Sequence, residues 1–202
     1  MADSTAAHCA RMNTAALWPS LAGLLGPLCP PCVVCLGAPP LLSQPLTGVF
    51  CSARCPGLAI LRGYDAFRSL RESGSGVVCG FHAPVERDGL PILLRGAQPV
   101  VVALGRGVEG LRVPAAWRAG LAAGRLAVVS PFGPEVRRLT RATASFRNRF
   151  AAALSARVLI LHAAPGGETE ALAREALGWG KPVFTLDVPE NAHLLALGAR
   201  PF

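Results

Sequence analysis

The residues of this sequence with the clearest capacity for chemistry are arginines and the small residues near them. Between Val136 and Gly167 the chain carries Arg137, Arg138, Arg141, Arg147, Arg149 and Arg157, and no Asp or Glu. A stretch of one sign repels itself unless solvent screens it or an anion lies close. Guanidinium groups are planar forks that suit bidentate contact with phosphate. The candidates for anion contact fall in short segments: Ser52 and Arg54; Gly80, Phe81 and His82; Gly105, Arg106 and Gly107; Arg147, Asn148 and Arg149; Gly166, Gly167 and Thr169. Small residues there let backbone N–H groups approach an anion. The competing role for Arg147 and Arg149 is an ion pair with Glu168 or Glu170.

Other chemistry has less support. Cys29, Cys32 and Cys35 have metal-ligand spacing, and Cys51 and Cys55 offer further thiols to zinc or an iron–sulfur cluster. That segment is strongly apolar, which suits reduced thiols buried as small hydrophobes, so no metal and no other cofactor is expected. The 7 cysteines are an odd number in a chain with no export signal, so a disulfide framework is not expected and a cytoplasmic location is. His82 is a candidate ligand contact, His162 closes an apolar run and reads as structural, and His193 lies near Asn191. No Ser–His–Asp order or paired-carboxylate spacing identifies catalytic residues.

The scaffold that must position these groups follows from composition and periodicity. The 202 residues are 51% hydrophobic and only 16% charged, enough for one sizeable core, and 22 Gly and 18 Pro divide the chain into short elements. Against 12 acidic residues stand 20 basic ones, a net charge of +8, with Lys181 the single lysine. Arginine excess suits phosphate partners, and codon bias alone also produces it. No charge falls between Arg11 and Arg54, but Pro19, Pro27, Pro30, Pro31, Pro39 and Pro40 interrupt that segment too often for a membrane-spanning helix. It reads as a short apolar helix over 14–25 docked on the main domain, then a proline-rich connector. Residues 1–45 are thus an N-terminal extension and 46–202 the core.

Within the core, apolar runs at 48–51, 76–79, 99–104, 126–129, 158–162 and 183–186 alternate with helical patterns at 58–72, 84–94, 114–123, 146–155, 168–177 and 190–197. The runs are continuous, as in strands buried on both faces. The expected fold is therefore α/β, a doubly wound and mostly parallel sheet of about six strands. In such sheets ligands sit beyond the carboxyl ends of the strands, where strand order reverses. The loops there hold glycine, serine and arginine at high density, and four of them lead into helix N-termini, whose free N–H groups favour anions. Arg147, Asn148 and Arg149 are expected to open a helix, where side chains and free N–H groups converge on one phosphate. These features together describe a phosphate-binding crevice lined by arginine.

Five segments in order resemble the Rossmann-like core of the DNA-processing protein A family (DprA, or Smf), within a wider set of nucleotide-binding folds. Val49-Phe50-Cys51-Ser52-Ala53-Arg54 resembles its V-G-S-R run, and Val77-Val78-Cys79-Gly80-Phe81 its V-V-S-G-L. Val101 to Gly107 is similar to its A-V-L-G-x-G. Phe146-Arg147-Asn148-Arg149-Phe150, continuing to Ser155, resembles its R-N-R-I-I-A-G-L-S element. Gly180 to Phe184, with Leu194-Leu195 and Gly198-Ala199, resembles its final strand and helix. The second loop departs from the family's S-G-x-A-R-G-I-D: Ala83 stands for the arginine and Pro84 for the glycine, while Glu86 keeps an acid. The resemblance implies binding of single-stranded DNA, a homodimer that would also cover the apolar N-terminal segment, and a recombinase partner in members with accessory domains. Ala164-Pro165-Gly166-Gly167-Glu168-Thr169-Glu170 also resembles the P-G-G-x-G-T-x-x-E motif of nucleoside monophosphate phosphoribohydrolases. Here one glycine is missing and Glu170 directly follows Thr169. A small-nucleotide sensor or such an enzyme is the alternative, and oligonucleotide binding against release of free base separates them.

Overall fold

A computed structural model describes residues 9–202. Its strands are β1 (Cys9–Asn13), β2 (Cys32–Gly37), β3 (Thr47–Cys51), β4 (Val77–Cys79), β5 (Val100–Ala103), β6 (Leu126–Ser130), β7 (Arg157–His162), β8 (Val183–Thr185) and β9 (Arg200–Pro201). The helices are α1 (Thr14–Leu17), α2 (Pro19–Leu25), α3 (Gly57–Glu72), α4 (Pro84–Leu94), α5 (Ala115–Ala122), α6 (Arg141–Leu154), α7 (Glu168–Gly178) and α8 (Ala192–Ala196). One 9-stranded sheet runs in the order β1-β2-β6-β5-β4-β3-β7-β8-β9. All neighbours from β6 to β9 are parallel, and β1 and β2 add on antiparallel beside β6.

Side chains alternate between two cores. Val49 and Leu159 face one with Phe67 and Leu90; Phe50 and Ile160 face the other with Phe150 and Leu172. That double burial is why the strand sequences are apolar throughout rather than alternating. The expected doubly wound α/β fold is present, with every core strand within two residues of its expected bounds and three further strands.

Two of the extra strands lie within residues 1–45. The stretch taken for a proline-rich connector contains β2, which pairs with β6, and β1 pairs with β2. The helix expected over 14–25 is broken: Trp18 takes φ −139° and ψ 69° ahead of Pro19, so α1 ends and α2 starts afresh. Proline's ring excludes helical geometry from the residue before it. Leu21 and Leu25 of α2 are buried in the core beside Phe150, so this chain itself covers the apolar segment. No helix among the described residues is long and apolar enough to cross a membrane.

One difference moves the site. The helix expected to start at residue 146 starts at Arg141, because Thr140 accepts from the Thr143 N–H while the Thr143 hydroxyl accepts from the Thr140 N–H. This reciprocal cap satisfies two orphan donors of the first turn. Arg147, Asn148 and Arg149 therefore lie mid-helix. Their N–H groups belong to the helix ladder and cannot meet a phosphate, which leaves only their side chains for that task.

Candidate functional site

Strand order reverses between β3 and β7, the position where an open α/β sheet leaves a crevice at its carboxyl edge. The β3–β7 register shifts at Phe50/Cys51, so Cys51 lies opposite His162. Bulges of this kind re-aim the backbone beside sites. The two following loops join directly. The Ser52 N–H donates to the His162 carbonyl at 2.9 Å, and the Ala164 N–H donates to Ser52 Oγ at 3.0 Å. Arg54, in the same loop, is exposed.

The loop after β4 is held by a buried acid. Glu86 Oε1 accepts from the Cys51 N–H at 2.9 Å, and Oε2 accepts from the N–H groups of His82 and Ala83 at 3.0 and 3.2 Å. Burial pushes its carboxyl up from the ordinary range, against three N–H donors and the field of Arg147. Glu86 thus ties the ends of β3 and β4 together. Between them Phe81 takes φ +50°, a rare conformation for a bulky side chain, with its ring buried and its N–H on Cys79 Sγ at 3.2 Å. Strain of this kind persists where the surroundings impose it. The His82 side chain is exposed.

Arg147 is the unusual member. It is 4% exposed, and its guanidinium lies over Gly80 so closely that a Cβ there would fall 2.2 Å from its Cζ and Nη1. Glycine at position 80 is therefore a requirement of this stacking. Its one side-chain hydrogen bond among the described residues runs from Nε to Asn148 Oδ1 at 2.8 Å. Among the described residues no carboxylate forms a salt bridge with it, although burial pushes its pKa down and the Glu86 field pushes it up. Neither Nη group has a protein acceptor among the described residues.

The neighbouring cations are engaged differently. Arg149 donates from Nε to both oxygens of Glu175 at 2.9 Å, a pairing that raises its pKa above the ordinary value. Arg141 pairs with Glu168. The sequence had offered Glu168 or Glu170 as partners for Arg147 and Arg149, and neither pairing forms. Arg106 is half-buried and braces its own loop, donating to the carbonyls of Gly107 and Glu109 at 3.3 and 3.4 Å. Gly107 is a packing glycine, since a Cβ would fall 2.6 Å from the Gly133 carbonyl oxygen, and Gly105 lies beneath Leu139.

At the far side of the crevice, Glu170 Oε2 accepts from the Gly166 N–H at 2.8 Å and Oε1 accepts from Arg174 at 2.6 Å. The Gly166 N–H, then Arg174, hold its carboxyl below the ordinary range. Glu170 therefore fixes the loop of Gly166 and Gly167 that leads to Thr169. His162 Nδ1 lies 3.0 Å from Asn191 Oδ1, in a buried structural contact. Among the described residues no three His, Cys, Asp or Glu side chains converge as metal ligands.

Sequence reasoning missed the depth of Arg147. The signal was available once the helix is started at Arg141: Arg147, Phe150 and Ala151 share one face, and all three are buried. Phe132 and Phe146 are legible in the sequence as aromatics near these loops, but not their contact: the ring centroids lie 5.6 Å apart at 66°.

Known proteins share this fold. DNA processing protein A from Streptococcus pneumoniae superposes with a TM-score of 0.70 at 20% identity, over 86% of this chain and 63% of that one. The chain thus spans under two thirds of that protein's length. DNA processing protein A from Helicobacter pylori, described for its single-stranded DNA binding mode, gives a TM-score of 0.69 at 20% identity, over 85% of this chain and 82% of that one. The molybdenum cofactor binding protein from Rippkaea orientalis gives 0.53 at 15% identity, over 79% and 88%. At such identities the likeness is one of fold. No curated protein matches the sequence. A family model for DNA recombination-mediator protein A matches residues 11–198, nearly the whole length, and the chain belongs to that family.

Proposed function

We propose that this protein binds single-stranded DNA by its phosphates, along the carboxyl-edge crevice between the loops that follow β3, β4 and β7. The observation that carries this is the Arg147 guanidinium, buried over Gly80 and, among the described residues, with no salt bridge and no protein acceptor for either Nη group. An ion taken out of water without a partner costs several kcal/mol, and a fork-shaped phosphate contact removes that cost. Arg54 supplies a second, exposed cation on the adjoining loop. Ser52, Gly80 and the strained Phe81 shape the floor, and the loop of Gly166, Gly167 and Thr169 forms the far wall. Arg149 and Arg106 support the walls through Glu175 and the β5 loop.

Backbone contacts of this type hold a strand with weak sequence preference and strong salt dependence. Fluorescence anisotropy of labelled oligonucleotides over a salt series tests the proposal. Affinity is expected to fall linearly in log–log form, and Arg147→Met to weaken all sequences alike and reduce the slope by about 0.7. Unchanged affinity in Arg147→Met refutes the assignment.

A further inference from the structure

The loop between β3 and α3 carries two cysteines that phosphate binding leaves unused. Cys51 is the last residue of β3, and Cys55 lies four residues on, just before Pro56 and α3. The chain bends at Ala53 and Arg54 between them and turns the two side chains toward each other, so that the Cys51 thiol donates a hydrogen bond to Cys55. Their surroundings differ. Cys51 is 6% exposed and anchored: its N–H donates to Glu86 Oε1, and it lies opposite His162 on β7. Cys55 is half-buried, within reach of a reagent, and its neighbour Arg54 is exposed. The third thiol nearby, Cys79, is fully buried, with its sulfur accepting from the Phe81 N–H. A reachable thiol backed by a sealed one is the arrangement of an attacking and a resolving cysteine. The hydrogen bond from Cys51 also pulls the Cys55 thiol below its ordinary value, outweighing burial and the Glu190 carboxylate, which push it up. That favours thiolate at the reachable position.

We propose that Cys51 and Cys55 close into a reversible disulfide, with a small disulfide such as oxidised glutathione as the oxidant, and that closure withdraws Arg54 from the phosphate crevice. Its effect on DNA rests on phosphate binding by that crevice, whereas the bond itself does not. The Cys55 thiolate attacks one sulfur of the small disulfide, and the other half leaves as a thiolate, which takes the Cys51 proton. The Cys51 sulfur then attacks Cys55 Sγ and expels the second half, which takes a proton from solvent. Two electrons pass from the cysteine pair to the small disulfide, which ends as two thiols. Closure draws the sulfurs from hydrogen-bond contact to about 2 Å. Glu86 and β7 hold Cys51 in place, so the movement falls on Cys55 and the three residues between, Arg54 among them. Transient disulfides of this kind act as sensors where thiols are otherwise kept reduced.

The test uses the full chain reduced with dithiothreitol, then equilibrated with oxidised glutathione and alkylated. Cleavage after Phe50 by chymotrypsin and after Arg54 by trypsin puts Cys51 and Cys55 on separate peptides that only a disulfide holds together. The linked pair is expected from the wild type and not from Cys55→Ser. On the same samples, the oxidised wild type is expected to bind a labelled oligonucleotide more weakly, with a salt slope shallower by about 0.7, one phosphate contact. Dithiothreitol is expected to restore it. Cys55→Ser is expected to bind like the reduced wild type in both conditions. Absence of the linked peptides overturns the pair and leaves phosphate binding standing. Linked peptides with unchanged affinity overturn the control of Arg54. Lost affinity in oxidised Cys55→Ser overturns it too, since other cysteines are then responsible. A reduced protein that binds no strand refutes phosphate binding and, with it, the control built on it.

Discussion

Replacing Arg147 by methionine separates a structural cation from one held for a ligand. Methionine keeps most of the side-chain length over Gly80 and removes the charge. The change loses the Nε hydrogen bond to Asn148 Oδ1, a charged contact of about 1.5–3 kcal/mol. Against that, it relieves the desolvation of an ion that is 4% exposed and has no salt bridge, several kcal/mol after relaxation, part of which the Glu86 field already offsets. Glu86 is not orphaned by the change, because three backbone N–H groups still bind it. The balance favours the variant by about 1–2 kcal/mol, a rise in melting temperature of about 2–8 °C. Calorimetry of the DNA-free protein measures it, and anisotropy on the same sample is expected to show weaker binding. Higher stability with lower affinity is the signature of a group retained for function. A melting temperature several degrees lower refutes the reasoning, since it makes Arg147 part of the fold's own electrostatics.

Glu86→Gln is expected to destabilise by about 2–4 kcal/mol in chemical denaturation, because its amide must face at least one N–H that now has an acceptor. Glu170, whose folded pKa lies below the ordinary carboxyl value, contributes stability that is complete above about pH 4.3 and is lost as pH falls through the lower folded value. Glu170→Gln is therefore expected to flatten the acid limb of melting temperature against pH, and a limb of unchanged steepness counts against the role given to Gly166 and Arg174. The Cys55 thiol is pulled down by the hydrogen bond from Cys51, whose own thiol is pushed up, so iodoacetamide is expected to modify Cys55 ahead of Cys51 by peptide mapping.

The core strands were legible because burial on both faces leaves uninterrupted runs such as Val100 to Ala103, a signal that needs no tertiary knowledge. Strand β2 was not legible. Val33 to Leu36 is as apolar as any core strand, but Pro30, Pro31 and Pro39 around it read as connector, and only its pairing with β6 makes it a strand. The early start of α6 was hidden for a related reason. Its cap is a threonine pair, Thr140 and Thr143, with no Glu or Gln in the third position to announce it. That five-residue difference turned Arg147 from an exposed helix opener into a buried member of an apolar stripe. Ser52 and Gly80 were found at the crevice because small residues after a strand mark close approach. The partners of Arg141 and Arg149 were not, since Glu168 and Glu175 come from another helix and only packing sets that register.

The departure at the second loop bears on how many phosphates the crevice neutralises. Ala83 stands where the resembled family has arginine, and it is buried with its N–H on Glu86. Among the described residues Arg54 and Arg147 form no side-chain ion pair, whereas Arg149 is held by Glu175 and Arg106 by backbone carbonyls. If the pairs of Arg149 with Glu175 and Arg141 with Glu168 stay closed, two phosphate contacts give a salt slope of about −1.4 on single strands. If a strand opens both pairs, four contacts double that to about −2.8. The exposed Arg141–Glu168 pair is worth only about 0–1 kcal/mol, so a polyanion competes with that carboxylate on nearly equal terms. The half-buried Arg149–Glu175 pair, with both carboxylate oxygens engaged, holds more firmly. Glu175→Gln then decides between the two cases. Where the pairs stay closed, it frees Arg149 for a phosphate and is expected to steepen the slope from about −1.4 to about −2.1. Where Arg149 already turns to the strand, it is expected to raise affinity with the slope unchanged. A wild-type slope near zero excludes both, and with them a strand held by its phosphates.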